Sequence, residues 1–258
     1  MVYIALGHGE AVERNSAKLD YLMNMLYSEA MSVRAVDISV NTIPEDADVL
    51  LIVGPTRDFT MEEIKALDDY LELGGRVQFY TDPSAEYLQH FNRYLYEDWG
   101  LTVNDDCVSD SNKQYIALGT YDNYLLPLLE NHAMTSYFYA NGSKVRLIDG
   151  EANSIDIEEM DGVDANVLLS TSEGGLGFTR DNWAQKSERQ PYSIADAGKK
   201  ALMVYLRKNA LYNQETTARL LLCGSDYLIF DEYDFPIAVL RNIALGRQVG
   251  RLRNGIEA

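Results

Sequence analysis

Five apolar runs of the sequence end in small or polar residues, and these endings are where the chain could do chemistry. They are Gly-His-Gly-Glu at 7–10, Gly-Pro-Thr at 54–56, Asp-Pro at 82–83, Ser-Thr-Ser at 170–172 and Gly-Ser-Asp at 224–226. Ligands bind beyond the carboxyl ends of the strands in open parallel sheets. The candidate ligand-binding residues are therefore Gly7, His8, Gly9, Glu10, Gly54, Pro55, Thr56, Asp82, Thr171, Ser172, Ser225 and Asp226.

Nucleophilic catalysis has little support in these endings. A nucleophile elbow needs small residues on both sides of a Ser or Cys, and the chain has neither Gly-x-Ser-x-Gly nor Gly-x-Cys-x-Gly. Cys223 ends an apolar run and is predicted to be a structural thiol. Ser225, Asp226 and His8 could form a triad. The simpler prediction is that Ser225 or Asp226 caps the segment that follows it.

Metal and cofactor sites are not predicted. The three histidines, His8, His90 and His132, are far apart and lack metal-ligand spacing. The acidic group at 231–234 lacks the glycine and the spacing of a calcium loop. Gly7-x-Gly9 is not followed by the third glycine or the lysine of a nucleotide fingerprint. We therefore predict no cofactor.

The stretch from Asp48 to Pro83 must position these groups. Val49–Val53 is a continuous apolar run typical of a strand buried on both faces. Thr60 and Glu63 have capping-box spacing, which predicts a helix from Met61, and Gly74-Gly75 ends it. Arg76–Tyr80 is predicted to be the next strand. A βαβ unit of this kind predicts an α/β, doubly wound, mostly parallel sheet.

The rest of the first half continues the alternation. Val2–Leu6 and Val33–Ile38 are predicted strands, and apolar spacing predicts a helix over residues 15–29 and another from Tyr87 to Trp99. Residues 1–103 thus form a doubly wound half.

The second half is less regular. We predict one α/β domain over 1–258, with 104–160 as a β-rich insertion or lobe whose tyrosines either pack a core or line a partner surface. Residues 173–197 are predicted to be a long surface loop. The predicted elements of this half are strands at Val145–Ile148, Ile155–Ile157, Val167–Leu169, Ala201–Leu206 and Ala218–Cys223, and a helix at Phe235–Leu245.

Charge excludes one class of partner. Asp and Glu number 40 against 22 Lys and Arg, for a formal net charge of −18. So negative a surface repels phosphate backbones, which makes nucleic acid an improbable partner, and it argues against docking on anionic lipid.

The order of these motifs resembles the ABC-type uncharacterised transport system family, which includes gliding-motility auxiliary components of ABC transporters. The resemblance begins with the strand leading into residues 7–10. It continues through Ile-Pro-Glu-Asp-Ala-Asp-Val-Leu-Leu-Ile-Val-Gly-Pro at 43–55 and Leu-Asp-Asp-Tyr-Leu-x-x-Gly-Gly at 67–75. Further matches follow at 131–135, where Ala133 replaces a proline, at 167–172, and from Arg219 to Asp226 with the closing helix around Asn242.

This resemblance implies an extracytoplasmic domain at the cell membrane, anchored by helices outside these 258 residues. It implies a flavodoxin-like or class I glutamine amidotransferase-like three-layer fold without the active site. The partners would be the permease and ATPase components of an ABC system, with a small molecule or another extracytoplasmic protein as ligand. The family has no established catalytic residues to transfer.

Two kinds of function are therefore carried forward. The first is a non-enzymatic accessory domain that binds a ligand or a partner protein. The alternative is a hydrolase or amidotransferase-like enzyme, or a carbohydrate-utilisation domain of the same fold. Convergence of His8, Ser172, Ser225 and Asp226 within hydrogen-bonding distance would favour the enzyme, whereas strand ends blocked by side chains would favour the accessory domain.

Overall fold

The computed structural model describes residues 1–117, 124–136, 151–179, 197–209 and 217–230. The predicted strand Val145–Ile148, the helix Phe235–Leu245, the acidic group at 231–234 and Tyr121, Tyr137 and Tyr139 lie outside these residues. The strands are β1 (Val2–Leu6), β2 (Val33–Asp37), β3 (Val49–Val53), β4 (Arg76–Tyr80), β5 (Leu101–Val103), β6 (Asp106–Asp110), β7 (Leu128–Leu129), β8 (Ile155–Ile157), β9 (Val163–Ser170), β10 (Gly175–Thr179), β11 (Ala201–Asn209) and β12 (Thr217–Cys223). The helices are α1 (Ala11–Arg14), α2 (Ser16–Ser28), α3 (Met61–Glu72) and α4 (Gln89–Trp99).

The architecture is mixed α/β, built on a central parallel sheet. Its parallel strands stand in the order β2-β1-β3-β4-β12. β11 then runs antiparallel to β12, and β9 runs antiparallel to β11. Two reversals restore the direction, so the carboxyl end of β9 lies at the same edge as those of β1, β3, β4 and β12. The five polar strand endings therefore share one edge of the sheet.

The central βαβ unit forms as its sequence predicts. Every residue of β3 is fully buried, as expected for a strand covered on both faces. The capping box is complete: Thr60 Oγ1 accepts from the Glu63 N–H, and a Glu63 carboxylate oxygen accepts from the Thr60 N–H. Gly74, at φ +89°, supplies the left-handed turn that ends the segment.

Helices cover both faces of the sheet, and each face has its own apolar cluster. Leu22, Met25 and Leu26 of α2 pack with Val2, Ile4 and the odd-numbered residues of β3; we call this the α2 face. Ile64, Leu67 and Leu71 of α3, with the aromatic residues of α4, pack on the other side, the α3/α4 face. Alternate residues of each strand therefore serve different layers.

The second half departs from prediction at more than one strand. Residues 173–197 were expected to be a loop, but Gly175–Thr179 form β10, which pairs antiparallel with β6 in a separate two-stranded sheet. Gly175 and Gly177 weaken the strand signal, yet both are needed, because a Cβ there would collide with Thr171 and Asp106. β9 also extends further toward the amino terminus than the predicted Val167–Leu169. Across the described residues, no helix is both long enough and apolar enough to cross a membrane.

Candidate functional site

The strand endings form a connected edge, which we call the carboxyl rim: residues 7–10, 54–56, 81–83, 170–172 and 224–226. Backbone hydrogen bonds join its segments. Thr56 N–H donates to His8 O at 2.9 Å, Gly54 N–H to Tyr80 O at 2.8 Å, and Thr81 N–H to Cys223 O at 2.9 Å. The candidates from β1, β3, β4 and β12 are therefore gathered at one place.

His8 lies inside this rim. Its side chain is 4% exposed and stacks on Phe59 with the ring centroids 4.2 Å apart. Its Nε2 lies 3.3 Å from a carboxylate oxygen of Glu63, the residue that completes the capping box of α3. The backbone N–H of His8 donates to Glu10 Oε2 at 2.8 Å. The imidazole is thus held by internal groups rather than presented to solvent.

Glu10 is the most unusual acid of the rim. It is 0% exposed, and burial raises its pKa to about 7, with the nearby charge of Glu13 acting in the same direction. Its Oε1 has no hydrogen-bond partner and lies 3.8 Å from His8 Nδ1. For Glu13, burial acts to raise the pKa, but neighbouring hydrogen bonds, including the one from Gly9 N–H at 2.8 Å, outweigh it and lower the pKa. Glu10 therefore keeps its proton at a pH where Glu13 is ionised.

A second cluster joins the ends of β3, β4 and β12 through two basic residues. Arg14 Nη2 donates to Gly54 O at 3.1 Å and to Asp82 Oδ2 at 2.7 Å, and Lys18 Nζ lies 3.4 Å from Asp226 Oδ2. For Asp82, burial acts to raise the pKa, but hydrogen bonds from Ser84 and Arg14 lower it below its usual range. Burial raises the pKa of Asp226.

The close approach at this cluster also constrains the backbone. Gly54 has φ +59°, and a Cβ at this position would lie 2.9 Å from Asp226 Oδ2. Only glycine combines that conformation with that contact. Pro55 and Thr56 follow directly; Thr56 Oγ1 donates to Gly9 O at 3.2 Å, and Gly7 O accepts from Arg57 Nη2 at 2.6 Å.

The serine and threonine candidates are also engaged internally. Ser172 donates its N–H and Oγ–H to the carboxylate of Asp110, at 2.9 and 2.8 Å. Thr171 Oγ1 accepts from Lys200 N–H and donates to Ser172 O, both at 2.9 Å. Ser225, fully buried, accepts from Tyr227 N–H at 3.2 Å and so caps the next turn. Within the described residues, no hydrogen bond joins Ser225, Asp226 and His8, so the triad hypothesis has no geometric support.

A small cavity lies beside the ends of β3 and β4. A cavity of about 30 Å³ is lined by Pro55, Asp82 and Asn153 together with the side chains of α4. That volume holds about one water molecule. Asn153 closes one side by three bonds: Thr81 Oγ1 donates to its Oδ1 at 3.0 Å, its Nδ2 donates to Asp106 O at 2.7 Å, and its N–H donates to Gly224 O at 2.7 Å.

These contacts define what the rim can do chemically. Glu10 beside His8 could exchange a proton near neutral pH, but both groups are buried, and a catalytic acid or base must reach its substrate. Within the part of the chain that is described, no group of three or more His, Cys, Asp or Glu side chains is arranged to hold a metal ion. Cys107 and Cys223 are buried thiols, not joined to each other by a disulfide.

Sequence reasoning found the rim but missed four residues that contact it. Glu13, Arg14, Lys18 and Glu63 supply the charges that hold the candidate residues. The capping-box spacing marked Glu63 in the sequence, but that spacing indicated a helix cap and not a contact with His8. Arg14 and Lys18 carried none, because their partners lie 40 to 208 residues away along the chain.

Comparisons with known proteins give a structural similarity and a family. In solved structures, the chain is similar to the mmIFT52 N-terminal domain, with 13% identity, a TM-score of 0.65 and coverage of 95% of this chain and 97% of that one. Weaker similarities reach the exo-beta-1,4-mannosidase Op5Man5 from Opitutaceae bacterium strain TAV5 (12% identity, TM-score 0.48, 95% of this chain and 36% of that one) and a thuA-like protein from Parabacteroides merdae (10%, 0.48, 96% and 90%). No curated protein sequence matches the chain.

The family profile is the decisive comparison, because it spans nearly the whole chain. The profile described as ABC-type uncharacterized transport system matches residues 2–248. This match covers both the parallel half and the antiparallel half, including every rim segment. The chain therefore belongs to the ABC-type uncharacterized transport system family, whose name indicates an auxiliary component of an ABC-type transport system.

Proposed function

We propose that this chain is a non-enzymatic accessory domain that acts outside the cytoplasm, where it binds a partner protein or ligand for an ABC transport system. One observation carries the proposal. Among the described residues, the side chains of His8, Ser172, Ser225 and Asp226 each contact other residues rather than one another. A hydrolytic site needs a nucleophile and a base in mutual contact and open to substrate.

The proposal also concerns the fold class of the domain and its cellular location. The helices on both faces of the sheet support a flavodoxin-like or class I glutamine amidotransferase-like three-layer arrangement. Family membership supports an association with the permease and ATPase components of an ABC system. We propose that the domain stands at the extracytoplasmic face of the membrane, held there by helices outside these 258 residues.

Co-purification tests this function. The gene that encodes this chain would be expressed together with the permease and ATPase genes of an ABC system from the same organism, and the complex would be purified by a tag on the permease. We expect the domain to co-elute in a fixed ratio and to change the ATPase rate at least twofold. A complex that assembles without the domain, at an unchanged ATPase rate, would contradict the proposal.

An enzymatic function is the second candidate, because Glu10 with a pKa near 7 lies beside His8. Such a pair is suited to general acid–base chemistry. The purified chain and its His8→Gln variant would be assayed with p-nitrophenyl esters and with glutamine. We expect no turnover from either protein. Turnover that disappears in His8→Gln would establish the enzyme and overturn the accessory role.

A further inference from the structure

Three arginines lie side by side at the opposite edge of the sheet. Arg219 of β12 is paired in register with Arg76 of β4 on one side and with Arg207 of β11 on the other. Residues opposite each other on neighbouring strands project from the same face. Arg207 and Arg219 alternate with Leu206 and Leu220 of the α3/α4 cluster, so they project on the α2 face. We call Arg76, Arg219 and Arg207 the arginine row.

Arg219, at the centre of the row, has no acidic partner in the part of the chain that the structure describes. Arg207 is paired with Asp164. Its Nε donates to Asp164 Oδ2 at 3.1 Å, and its Nη2 donates to the same oxygen. Arg219 has no such acid among the described residues, and its Nη1 is buried without a hydrogen-bond partner. Burial lowers the pKa of Arg219, and the charges of Arg76 and Arg207 lower it further. Among the described residues, Asp164 therefore neutralises Arg207, and no carboxylate does the same for Arg219.

Such an arrangement is unusual in a chain with a net charge of −18 and 40 acidic residues to choose from. A carboxylate near Arg219 would satisfy the buried donor and relieve the repulsion within the row. On the other face of the same strand, the neighbouring Lys208 is paired with Glu72 at 3.2 Å. Among the described residues, the fold thus neutralises Lys208 on one face of β11 and leaves Arg219, on the other face, without an acidic partner.

The surroundings of the row indicate what could approach it. Neighbouring strands are about 4.8 Å apart, so three arginines span about 10 Å, enough for one or two carboxylates. An open concavity of about 430 Å³ adjoins the row, lined by Asp164, Arg207, Asn209 and Thr217 among others. At physiological salt the screening length is about 8 Å, so the row can attract an anion locally although the whole molecule is negative.

We propose that the arginine row binds a carboxylate presented by an acidic polypeptide segment of a partner protein. This rests on the proposed accessory function and names the chemistry of its partner. Asp164 on Arg207 shows that a carboxylate fits the row, since an arginine fork matches that group. A long polyanion would extend beyond 10 Å onto an acidic surface, which favours a short acidic segment over nucleic acid or an anionic membrane.

Calorimetric titration of the full chain tests the proposal directly. The probe is a capped hexaglutamate peptide, and capped hexaglutamine is its neutral match. We expect wild type to bind hexaglutamate and not hexaglutamine, and we expect Arg219→Gln to weaken binding at least tenfold. Lys65→Gln removes a 72% exposed cation elsewhere and should change affinity by less than twofold. Equal binding by wild type and Arg219→Gln would overturn the proposal.

A gain of affinity provides an independent test that does not depend on the folding of Arg219→Gln. Asp164→Asn removes the carboxylate that already occupies Arg207, so hexaglutamate should bind at least threefold more tightly. Unchanged or weaker binding by Asp164→Asn would contradict the proposal.

Two further probes separate the peptide from other anions. We expect inorganic phosphate and vesicles containing phosphatidylserine to bind more weakly than hexaglutamate. Tighter binding of either, lost in Arg219→Gln, would overturn the acidic peptide as the ligand. These assays use the chain alone, so they distinguish the two proposals: peptide binding without co-purification would refute the ABC association, and an ABC complex unaffected by Arg219→Gln would refute the role of the row.

Discussion

The two ends of the central sheet use their charged side chains in opposite ways. At the carboxyl rim, Arg14 bonds Asp82, Lys18 pairs with Asp226 and Glu63 faces His8. At the other end, Arg219 stands between two cations with a buried N–H unsatisfied. Parallel sheets usually bind ligands at the rim. Here ion pairs and hydrogen bonds engage the described charges of that rim, whereas Arg219, at the opposite edge, has no acidic partner among the described residues. The amino edge is therefore the better candidate for binding a charged ligand.

The largest predicted effect tests how tightly the rim is closed. A Cβ on Gly224 would lie 2.1 Å from Asn153 O, a backbone atom that cannot easily move aside. Gly224→Ala should therefore destabilise the protein by about 3 kcal/mol, measured by urea unfolding. Gly198→Ala, where nothing lies within 4 Å of the added Cβ, should change stability by less than about 0.5 kcal/mol. Similar losses in the two variants would show that the rim is not closed.

The next effect is a pH dependence that arises from Glu10 at the rim. Burial raises the folded-state pKa of Glu10 to about 7, above its ordinary value of 4.5. The stability from protonated Glu10 is fully present below pH 4.5 and is lost as the pH rises through 7. Wild type should therefore lose about 1 kcal/mol of unfolding free energy between pH 6 and pH 8.

Glu10→Gln should remove most of that pH dependence, because the amide cannot ionise. The matched control is Glu62→Gln, an exposed carboxylate in the first turn of α3, which should keep the wild-type slope. Urea unfolding at the two pH values measures both variants. A slope that survives in Glu10→Gln would assign the titration to another group and weaken the contrast between the ends.

The smallest effect concerns the amino edge. Arg219 is repelled by Arg76 and Arg207 and has no acidic partner in the described residues, so Arg219→Gln should raise stability by about 0.5 kcal/mol. A gain of stability on removing a charge is typical of binding residues rather than structural ones. Thermal unfolding measures it. A loss above about 1 kcal/mol would mean that Arg219 supports the fold and would erase the difference between the two ends.

The sequence predicts those parts of the fold whose signals are local. β3 is a continuous apolar run, α3 has its capping box within four residues, and Gly74 ends the segment. These signals need no knowledge of distant contacts. By contrast, β10 was missed because its glycines exist to avoid Thr171 and Asp106, which only the folded chain brings near.

The position of the candidate site could be predicted from the sequence, but the hydrogen bonds of its side chains could not. The rule for parallel sheets located the rim, yet it could not show that Asp110 engages Ser172 or that Arg14 engages Asp82. The arginine row was beyond sequence reasoning for a different reason. Its members lie on three strands, and their alignment depends on the reversal of β11, which the pattern at 201–206 did not reveal.

The three hydrogen bonds of Asn153 have a mechanical consequence. The side chain and backbone of Asn153 connect the start of β6 to the ends of β4 and β12. The lobe that contains β6 is therefore fixed to the central sheet at this point. A displacement of that lobe would therefore be transmitted to both β4 and β12. Amide exchange in β6, β4 and β12 should consequently slow and quicken in concert, as in one cooperative unit.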